Sequence, residues 1–211
     1  MKKLWDKLAN KNSRYYINSD YGKGITEEQF RESGKRDVIK YINDDPYLNQ
    51  AMIITFDDPT ILEIGCGTGR MTEFMAFFFK KVIGIDISGE MIKQARERLK
   101  GRDDIELIET DGETIPLKDN SIDIVFSYLV FQHMKTKEMV DKNFEEVYRV
   151  LKPKGLFKVR LRTDKLKNLD IWWGGVCYTD HEIIKLYSKF GFSLLNYEYV
   201  GDYGIWLWLK K

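Results

Sequence analysis

Three glycines on alternate positions are the part of this chain best suited to holding a ligand. Gly65, Gly67 and Gly69 follow a short apolar run, Ile61 to Ile64, and precede a helical pattern that begins near Met71. Glycine has no Cβ, so it reaches positive φ angles and lets backbone N–H groups approach a ligand closely. A strand, a glycine turn and a helix in this order predict a ligand-binding turn.

Three acidic residues stand near the ends of predicted strands. Glu63 lies two residues before Gly65, Asp86 ends the second predicted strand, and Asp111 follows the third. The carboxyl ends of parallel strands line one crevice, so we expect these acids to converge there. Asp86 lies close to the spacing at which an acid accepts hydrogen bonds from ribose hydroxyls. Several acids without an Arg or Lys fork suit a cationic nucleoside better than a phosphorylated one.

The glycine spacing departs by one residue from the dinucleotide fingerprint G-x-G-x-x-G, which disfavours a nicotinamide-dependent oxidoreductase. The alternative roles for the acids are structural: Glu63 could be a helix-dipole or surface acid, and Asp111 could be a turn former.

From Thr60 onward the apolar pattern alternates between strands and helices. The predicted strands are Ile61 to Ile64, Lys81 to Ile85, Ile105 to Glu109, Ile122 to Ser127 and Leu156 to Leu161. The predicted helices are Met71 to Phe79, Glu90 to Lys100, Lys137 to Leu151 and Asp180 to Phe190, and a hairpin joins Phe192 to Val200 with Tyr203 to Leu209. This order predicts an α/β fold with a Rossmann-like doubly wound sheet of seven strands, mostly parallel, with a C-terminal antiparallel hairpin.

Residues 1–57 precede this pattern and are expected to form an N-terminal helical cap or lid of the same domain, ahead of the ligand-binding part at 58–211. A capping box opens a predicted helix from Thr26 to about Ile42. A second helix is expected from Tyr47 to Ile54.

Composition predicts a globular protein of one domain, with 211 residues of which 43% are hydrophobic and 32% charged. A formal net charge of +1 gives no general attraction to nucleic acid or to anionic membranes.

Cys66 and Cys177 lie far apart, which predicts neither a zinc site nor a disulfide and favours a cytoplasmic setting. No spanning segment or secretory leader is expected. Leu4, Trp5 and Leu8 could form a membrane-surface helix, but packing on the protein's own domain is the favoured interpretation.

Four segments in order resemble the class I S-adenosylmethionine-dependent methyltransferases, especially the small-molecule branch that includes quinone-biosynthesis enzymes. They are ILEIGCGTGR, VIGIDIS, DGETIPLKDNSIDIVFS and VLKPKGLFKV. The similarity covers about Thr60 to Val159.

The resemblance implies S-adenosylmethionine as cofactor and a set of residues that bind it. They are Glu63, Gly65, Cys66, Gly67, Thr68, Gly69, Asp86, Ile87, Met91, Asp111, Gly112, Glu113, Ser127 and Tyr128. Glu63 would lie near the methionine amino group, Asp86 would hold both ribose hydroxyls, and Asp111 would meet the adenine edge. Cys66 is expected to be a packing residue rather than a nucleophile.

The resemblance also suggests where an acceptor binds. His133 follows the fourth strand and is the candidate base, with a hydrogen-bonded structural role as the alternative. A structural role is expected for His181, at a helix N-terminus. The candidate acceptor contacts are Tyr15, Tyr16, Tyr21, Gln132, Trp172 and Trp173, although packing roles are also open for the aromatic residues.

Methyl transfer from a sulfonium is an in-line displacement, so alignment and exclusion of water can carry catalysis without a covalent intermediate. The sequence has no Asn-Pro-Pro-Tyr-like motif after the fourth strand and no evident metal-binding acids, so we expect a small-molecule acceptor methylated on O, N or C, and no metal. A non-enzymatic cofactor-binding regulatory protein of the same fold is the alternative.

Overall fold

The computed structural model describes residues 1–163, 174–201 and 203–211. The chain divides into two compact units, Met1–Asp111 and Gly112–Lys211. Its seven-stranded mixed sheet, mostly parallel with an antiparallel C-terminal pair, confirms the predicted α/β fold. The boundary proposed near residue 57 lies inside the first unit and stays a prediction.

The first unit alternates helices with parallel strands after a helical N-terminal part. Its elements are α1 (Lys2–Ile17), α2 (Glu27–Val38), α3 (Pro46–Ile54), β1 (Thr60–Ile64), α4 (Thr72–Met75), β2 (Lys81–Asp86), α5 (Gly89–Arg98) and β3 (Ile105–Glu109). β1 pairs in parallel with β2, and β2 pairs in parallel with β3. The C-termini of these strands therefore lie at one edge, as the ligand-binding prediction requires.

Local capping explains where the early helices begin. The Thr26 hydroxyl accepts from the Gln29 N–H, and the Gln29 side chain accepts from the Thr26 N–H, which is the predicted capping box. α2 gives way at Val38 to a π-helical turn, Ile39–Asn43. The Asp45 side chain then accepts from the first turn of α3.

The helix predicted from Met71 to Phe79 is wrong in length, since only Thr72–Met75 is α-helical. Beyond it the N–H groups of Phe77 and Phe78 donate to the carbonyls three residues earlier, which tightens the chain into turns. Phe77 is 70% exposed, so the apolar side chains of this segment are not all buried.

The second unit contains β4 (Ile122–Ser127), α6 (Lys137–Val150), β5 (Leu151–Arg162), α7 (Asp180–Lys189), β6 (Ser193–Val200) and β7 (Gly204–Lys210). β4 and β5 are parallel, whereas β7 pairs antiparallel with both β5 and β6, so the predicted hairpin is confirmed.

β5 begins five residues earlier than predicted, at Leu151 rather than Leu156. Lys152 to Gly155 contain a proline and a glycine, which suggested a break. The strand instead continues through a register shift opposite β4, with Lys154 at a positive φ of 70°. The Lys154 N–H and the Gly155 carbonyl bond to Lys211, which holds the irregular stretch in the sheet.

An ion pair inside the first unit fixes α2 against the residue that follows the glycine turn. Arg70 is buried and donates through Nη1 to Asp37 Oδ2 at 2.6 Å and to the Ser33 hydroxyl at 3.2 Å. Gly34 lies between these partners in α2, and a Cβ there would stand 2.1 Å from the Arg70 carbonyl oxygen. The absence of a side chain at Gly34 therefore permits this close approach.

Gly34→Ala tests that contact. Alanine is the better helix former by about 1 kcal/mol, yet here the added methyl must displace backbone, and overpacking costs about 1–3 kcal/mol. We expect a lower free energy of unfolding, measured by denaturant titration. Gly24→Ala is the control, because nothing lies within 4 Å of its Cβ position. A Gly34→Ala variant as stable as the parent would contradict the close packing.

Candidate functional site

The glycine turn between β1 and α4 adopts the backbone conformation that its residues predict. Gly65, Gly67 and Gly69 have φ angles of 75°, 55° and 78°. The N–H groups of Gly65 and Cys66 donate to the Ile85 carbonyl at 2.8 and 3.1 Å, which ties the turn to β2. Left-handed backbone at all three glycines is strained for residues with a Cβ, so these positions need glycine.

Close neighbours add a second constraint at two of these glycines. A Cβ on Gly69 would lie 2.6 Å from Leu99 Cδ1, and one on Gly67 would lie 3.0 Å from Ile17 Cδ1. Ile17 ends α1, so the N-terminal helix reaches the glycine turn. The contact between Ile17 and Gly67 was not predicted, because no local spacing connects the two residues.

Asp86 ends β2 and lies against the turn with both carboxylate oxygens engaged. Oδ2 accepts from the Gly67 N–H at 2.9 Å, and Oδ1 accepts from the Ser88 N–H at 2.8 Å. A carboxylate offers about four acceptor positions, so each oxygen retains one for a ligand. Burial raises the pKa of Asp86, while the N–H groups of Ser88, Gly67 and Ile87 oppose that rise.

Glu63, in β1, is a buried acid beneath the turn. Its Oε2 accepts from the Thr72 hydroxyl at 2.5 Å. Burial raises the pKa of Glu63 to about 7; the Thr72 hydroxyl and the charge of Arg70 lower it, and the charge of Asp86 raises it. The structure thus excludes the surface-acid alternative for Glu63.

Two other residues of the turn differ in what their side chains can offer a ligand. The thiol of Cys66 is buried beside Gly84 of β2, whose Cβ position lies 3.0 Å from Cys66 Sγ. Burial raises the pKa of this thiol well above its usual value, which disfavours a nucleophilic role. By contrast, Thr68 Oγ1 is buried and lacks a hydrogen-bond partner among the described residues. Such an orphaned hydroxyl is a candidate ligand contact.

α1 runs along the C-terminal edge of the strands in the first unit. Asp6 Oδ1 accepts from the Ser88 hydroxyl at 2.7 Å and from the Glu90 N–H at 3.3 Å. These bonds, the Ser88 hydroxyl first, lower the pKa of Asp6. Lys2 forms an ion pair with Glu109 at the end of β3. α1 therefore packs on its own unit, which agrees with the interpretation favoured from Leu4, Trp5 and Leu8.

The three tyrosines near this helix do not share one environment. The rings of Tyr15 and Tyr16 meet edge to face in the last turns of α1, with centroids 5.0 Å apart. Tyr21 is exposed, and its hydroxyl accepts from Arg36 at 2.9 Å.

Three other predicted cofactor residues of the first unit differ in burial. Ile87 is half-buried just after Asp86, and Met91 is buried in α5. Asp111 is exposed at the end of the first unit.

The remaining predicted residues belong to the second unit. Gly112 has a φ of 85°, and its carbonyl accepts from Asn143 at 2.8 Å. Glu113 pairs with Lys142. Ser127 is buried at the end of β4, and the Tyr128 ring stacks on Trp206 of β7 at 5.5 Å.

His133 and Gln132 lie in a short 3-10 turn, Phe131–His133, and the two side chains approach to 3.4 Å. Gly175 packs closely on this turn, since a Cβ there would lie 2.2 Å from the Met134 carbonyl oxygen. His181 is exposed in the first turn of α7. Trp172 and Trp173 lie outside the described residues.

Residues 62–159 match the family model described as Methyltransferase domain. Residues 62–159 are therefore similar to a methyltransferase domain. The resemblance that the four sequence segments carry is thereby confirmed.

Curated relatives of the methyltransferase domain include an O-methyltransferase and a C-methyltransferase. The malonyl-[acyl-carrier protein] O-methyltransferase of Methylococcus capsulatus is 34% identical over 97 residues, covering 45% of this chain and 34% of that protein. The ubiquinone/menaquinone biosynthesis C-methyltransferase of Brucella canis is 36% identical over 108 residues, covering 46% of this chain and 38% of that protein. The matches thus span well under half the length of these relatives.

Among solved structures, a SAM-dependent methyltransferase from Aquifex aeolicus shares the fold. It superposes with a TM-score of 0.62 and 21% identity, over 88% of this chain and 98% of that one.

Among the described residues, no helix is long and apolar enough to cross a membrane. The same part of the chain holds no cluster of His, Cys, Asp or Glu suited to a metal ion.

The raised pKa of Glu63 predicts a pH-dependent stability. Between about 4.5 and about 7 the folded protein binds more protons at Glu63 than the unfolded chain does. Stability from this residue is therefore lost as pH rises through that window, by up to about 3 kcal/mol. Glu63→Gln removes this contribution, so its free energy of unfolding, measured by urea titration from pH 4.5 to 7.5, should fall less steeply with pH.

Glu106→Gln is the matched control, because Glu106 is an exposed carboxyl on β3 whose partner is Lys81. The free energy of unfolding of Glu106→Gln should change with pH as steeply as that of the parent protein. Equal slopes for Glu63→Gln and the parent would show that folding does not raise the pKa of Glu63.

Proposed function

We propose that this protein is an S-adenosylmethionine-dependent methyltransferase that acts on a small-molecule acceptor. The observation that carries the proposal is the position of Asp86. Its carboxylate lies against a three-glycine turn with positive φ angles and retains acceptor positions on both oxygens. A pair of adjacent hydroxyls, as in a ribose, supplies the matching donors.

The other residues of the first unit suit the rest of that cofactor. Thr68 offers a buried hydroxyl that lacks a partner among the described residues. Glu63 offers negative charge near a cationic amino group, although Thr72 already occupies its Oε2. When bound, S-adenosylmethionine supplies a methyl group on a positively charged sulfur. Gly112, Glu113 and Ser127 remain proposed contacts from the second unit.

α1 is proposed to cover this site. Its contacts with Ser88, Glu90 and Glu109 follow the C-terminal edge of β2 and β3, and Ile17 lies at Gly67. A helix in this place excludes water from a bound ligand, which strengthens the electrostatic interactions beneath it.

His133 is the proposed base where the acceptor must lose a proton before attack. The tight packing of Gly175 against its turn holds the backbone on which His133 stands. A small-molecule acceptor, methylated on O, N or C, is consistent with the names of the relatives, which include both O- and C-methyltransferases. A cytoplasmic location is also part of the proposal, supported by two free cysteines.

Cofactor binding is the first test. Titration calorimetry should detect binding of S-adenosylmethionine and S-adenosylhomocysteine, and Asp86→Ala should weaken both by at least tenfold, because hydrogen bonds to a charged group contribute about 1.5–3 kcal/mol each. Asp103→Ala removes an exposed acid and should bind like the parent. NADH should not displace S-adenosylhomocysteine. A parent protein that binds neither sulfur nucleoside would overturn the proposal.

His133→Ala tests the proposed base. Positioned general bases contribute about 10²–10⁴-fold, so turnover should fall within that range while the affinity for S-adenosylhomocysteine stays nearly unchanged. Transfer of labelled methyl groups to a metabolite extract measures turnover and separates an enzyme from a non-enzymatic binding protein. His181→Ala is the matched control. If His133→Ala turns over like the parent, the structural alternative is correct.

A further inference from the structure

Arg160 is a half-buried cation of β5 whose donors are unused. Among the described residues its guanidinium forms no ion pair and no hydrogen bond, and it lies over the ring of Tyr128, 5.7 Å from the guanidinium carbon to the ring centroid. Arginine carries five N–H donors and is charged at any physiological pH. A guanidinium in this position is therefore free to bind an anion.

The surroundings hold Arg160 in one place. Trp206 is its register partner in β7 and stacks on Tyr128 with an interplanar angle of 14°. Trp206 is buried, so it fixes the Tyr128 ring from behind. On the other side, a Cβ at Gly204 would lie 2.9 Å from Arg160 Nε and Nη2. Gly204 thus leaves the space that the guanidinium fills.

Two other basic residues of β5 lie on the same face of the sheet as Arg160. Lys158 and Arg162 are two residues before and after Arg160 in β5, so their side chains share its face. Lys158 Nζ lies 4.8 and 4.7 Å from the ring centroids of Trp206 and Trp208. The acid in the row of Arg160 is Glu198, two strands away across Trp206 and hence about 10 Å distant.

The place in the fold is one where a substrate can bind. Ser127 pairs with Val159 in the parallel β4–β5 register, so Tyr128 and Arg160 both stand at the C-terminal ends of their strands. Ligands of open α/β sheets bind outside those ends. None of the acceptor contacts expected from the sequence included Arg160.

We propose that Arg160 binds a carboxylate group of the methyl acceptor. This inference rests on the proposed function and names the chemical class of its substrate. The Arg160 guanidinium lies over the Tyr128 ring in a cation–π interaction. Its N–H donors, which have no acceptor among the described residues, can form a bidentate pair with a planar carboxylate. A carboxylate presents two oxygens in one plane, which is the geometry that two parallel N–H donors of one guanidinium match.

The experiment uses the full chain, tritium-labelled S-adenosylmethionine and a metabolite extract of the source organism separated by anion exchange. Labelled product should form from the fraction that the resin retains and not from the neutral and cationic flow-through. Amidation of the retained fraction with carbodiimide and ammonia should abolish labelling, whereas alkaline phosphatase should leave it unchanged.

Variants then assign the carboxylate to Arg160. Arg160→Gln should raise the amount of retained fraction needed for half-maximal rate at least tenfold, with the affinity for S-adenosylhomocysteine unchanged by calorimetry. Arg160→Lys keeps the charge but lacks the guanidinium fork. The amount of retained fraction that it needs for half-maximal rate should therefore lie between those of Arg160→Gln and the parent. Arg102→Gln, which removes a cation paired with Asp104, is the control and should behave like the parent.

The outcomes separate this inference from the proposed function. Product from the flow-through, or loss of labelling after phosphatase, would overturn the carboxylate while leaving the methyltransferase in place. If Arg160→Gln needs the same amount of retained fraction for half-maximal rate as the parent does, the proposed role of Arg160 is wrong. Absence of labelled product from every fraction would overturn the proposed function itself, and this inference with it.

Discussion

The bonds from Asp86 to the backbone are the interaction on which the candidate cofactor site depends. One oxygen accepts from Gly67 in the turn after β1, and the other accepts from Ser88 at the start of α5. A single side chain thereby fixes the turn and the N-terminus of the helix after β2 relative to each other. A carboxylate with two backbone donors stays ionised more readily than burial alone would allow, which preserves its ability to accept hydrogen bonds from a neutral ligand.

Two buried charged residues, Glu63 and Arg70, lie beneath that contact, and opposing effects set the pKa of Glu63. Glu63 is desolvated enough to bring its pKa to about 7, although Thr72 donates to it and Arg70 lies near. Arg70 in turn pairs with Asp37 rather than with Glu63. Losing either partner of a buried pair leaves an uncompensated charge. The glycine turn is therefore held from below by α2 and from the side by Asp86, and its shape does not depend on its own few residues alone.

The part of the site that was predictable consists of residues whose role follows from backbone geometry. Gly65, Gly67 and Gly69 each have the positive φ that their residue type suggests, and the bounds of β3 and β4 agree with the apolar pattern to the residue. Errors arose where tertiary contacts overrode local preference. The segment after Met75 tightens into turns, and β5 passes through Pro153 because Lys211 pairs with the residues beside it.

Contacts between residues distant in the chain left no pattern that one sequence could reveal. Ile17 against Gly67, Asp6 against Ser88 and Gly34 against Arg70 each join segments whose pairing depends on how the helices dock. Docking is decided by the summed packing of many side chains, so no local spacing encodes it.

The same distinction explains why the cofactor is easier to infer than the acceptor. A nucleoside with a ribose and an amino group must be met by acceptors at strand ends, and strand ends are visible in a sequence. An acceptor is met by whatever side chains the strand faces and loops bring together. Arg160, Tyr128, Trp206 and Gly204 become one site only when β4, β5 and β7 lie side by side. On the proposed role of Arg160, substrate choice depends on sheet register, which brings together a cation of β5, a ring just after β4 and a glycine of β7.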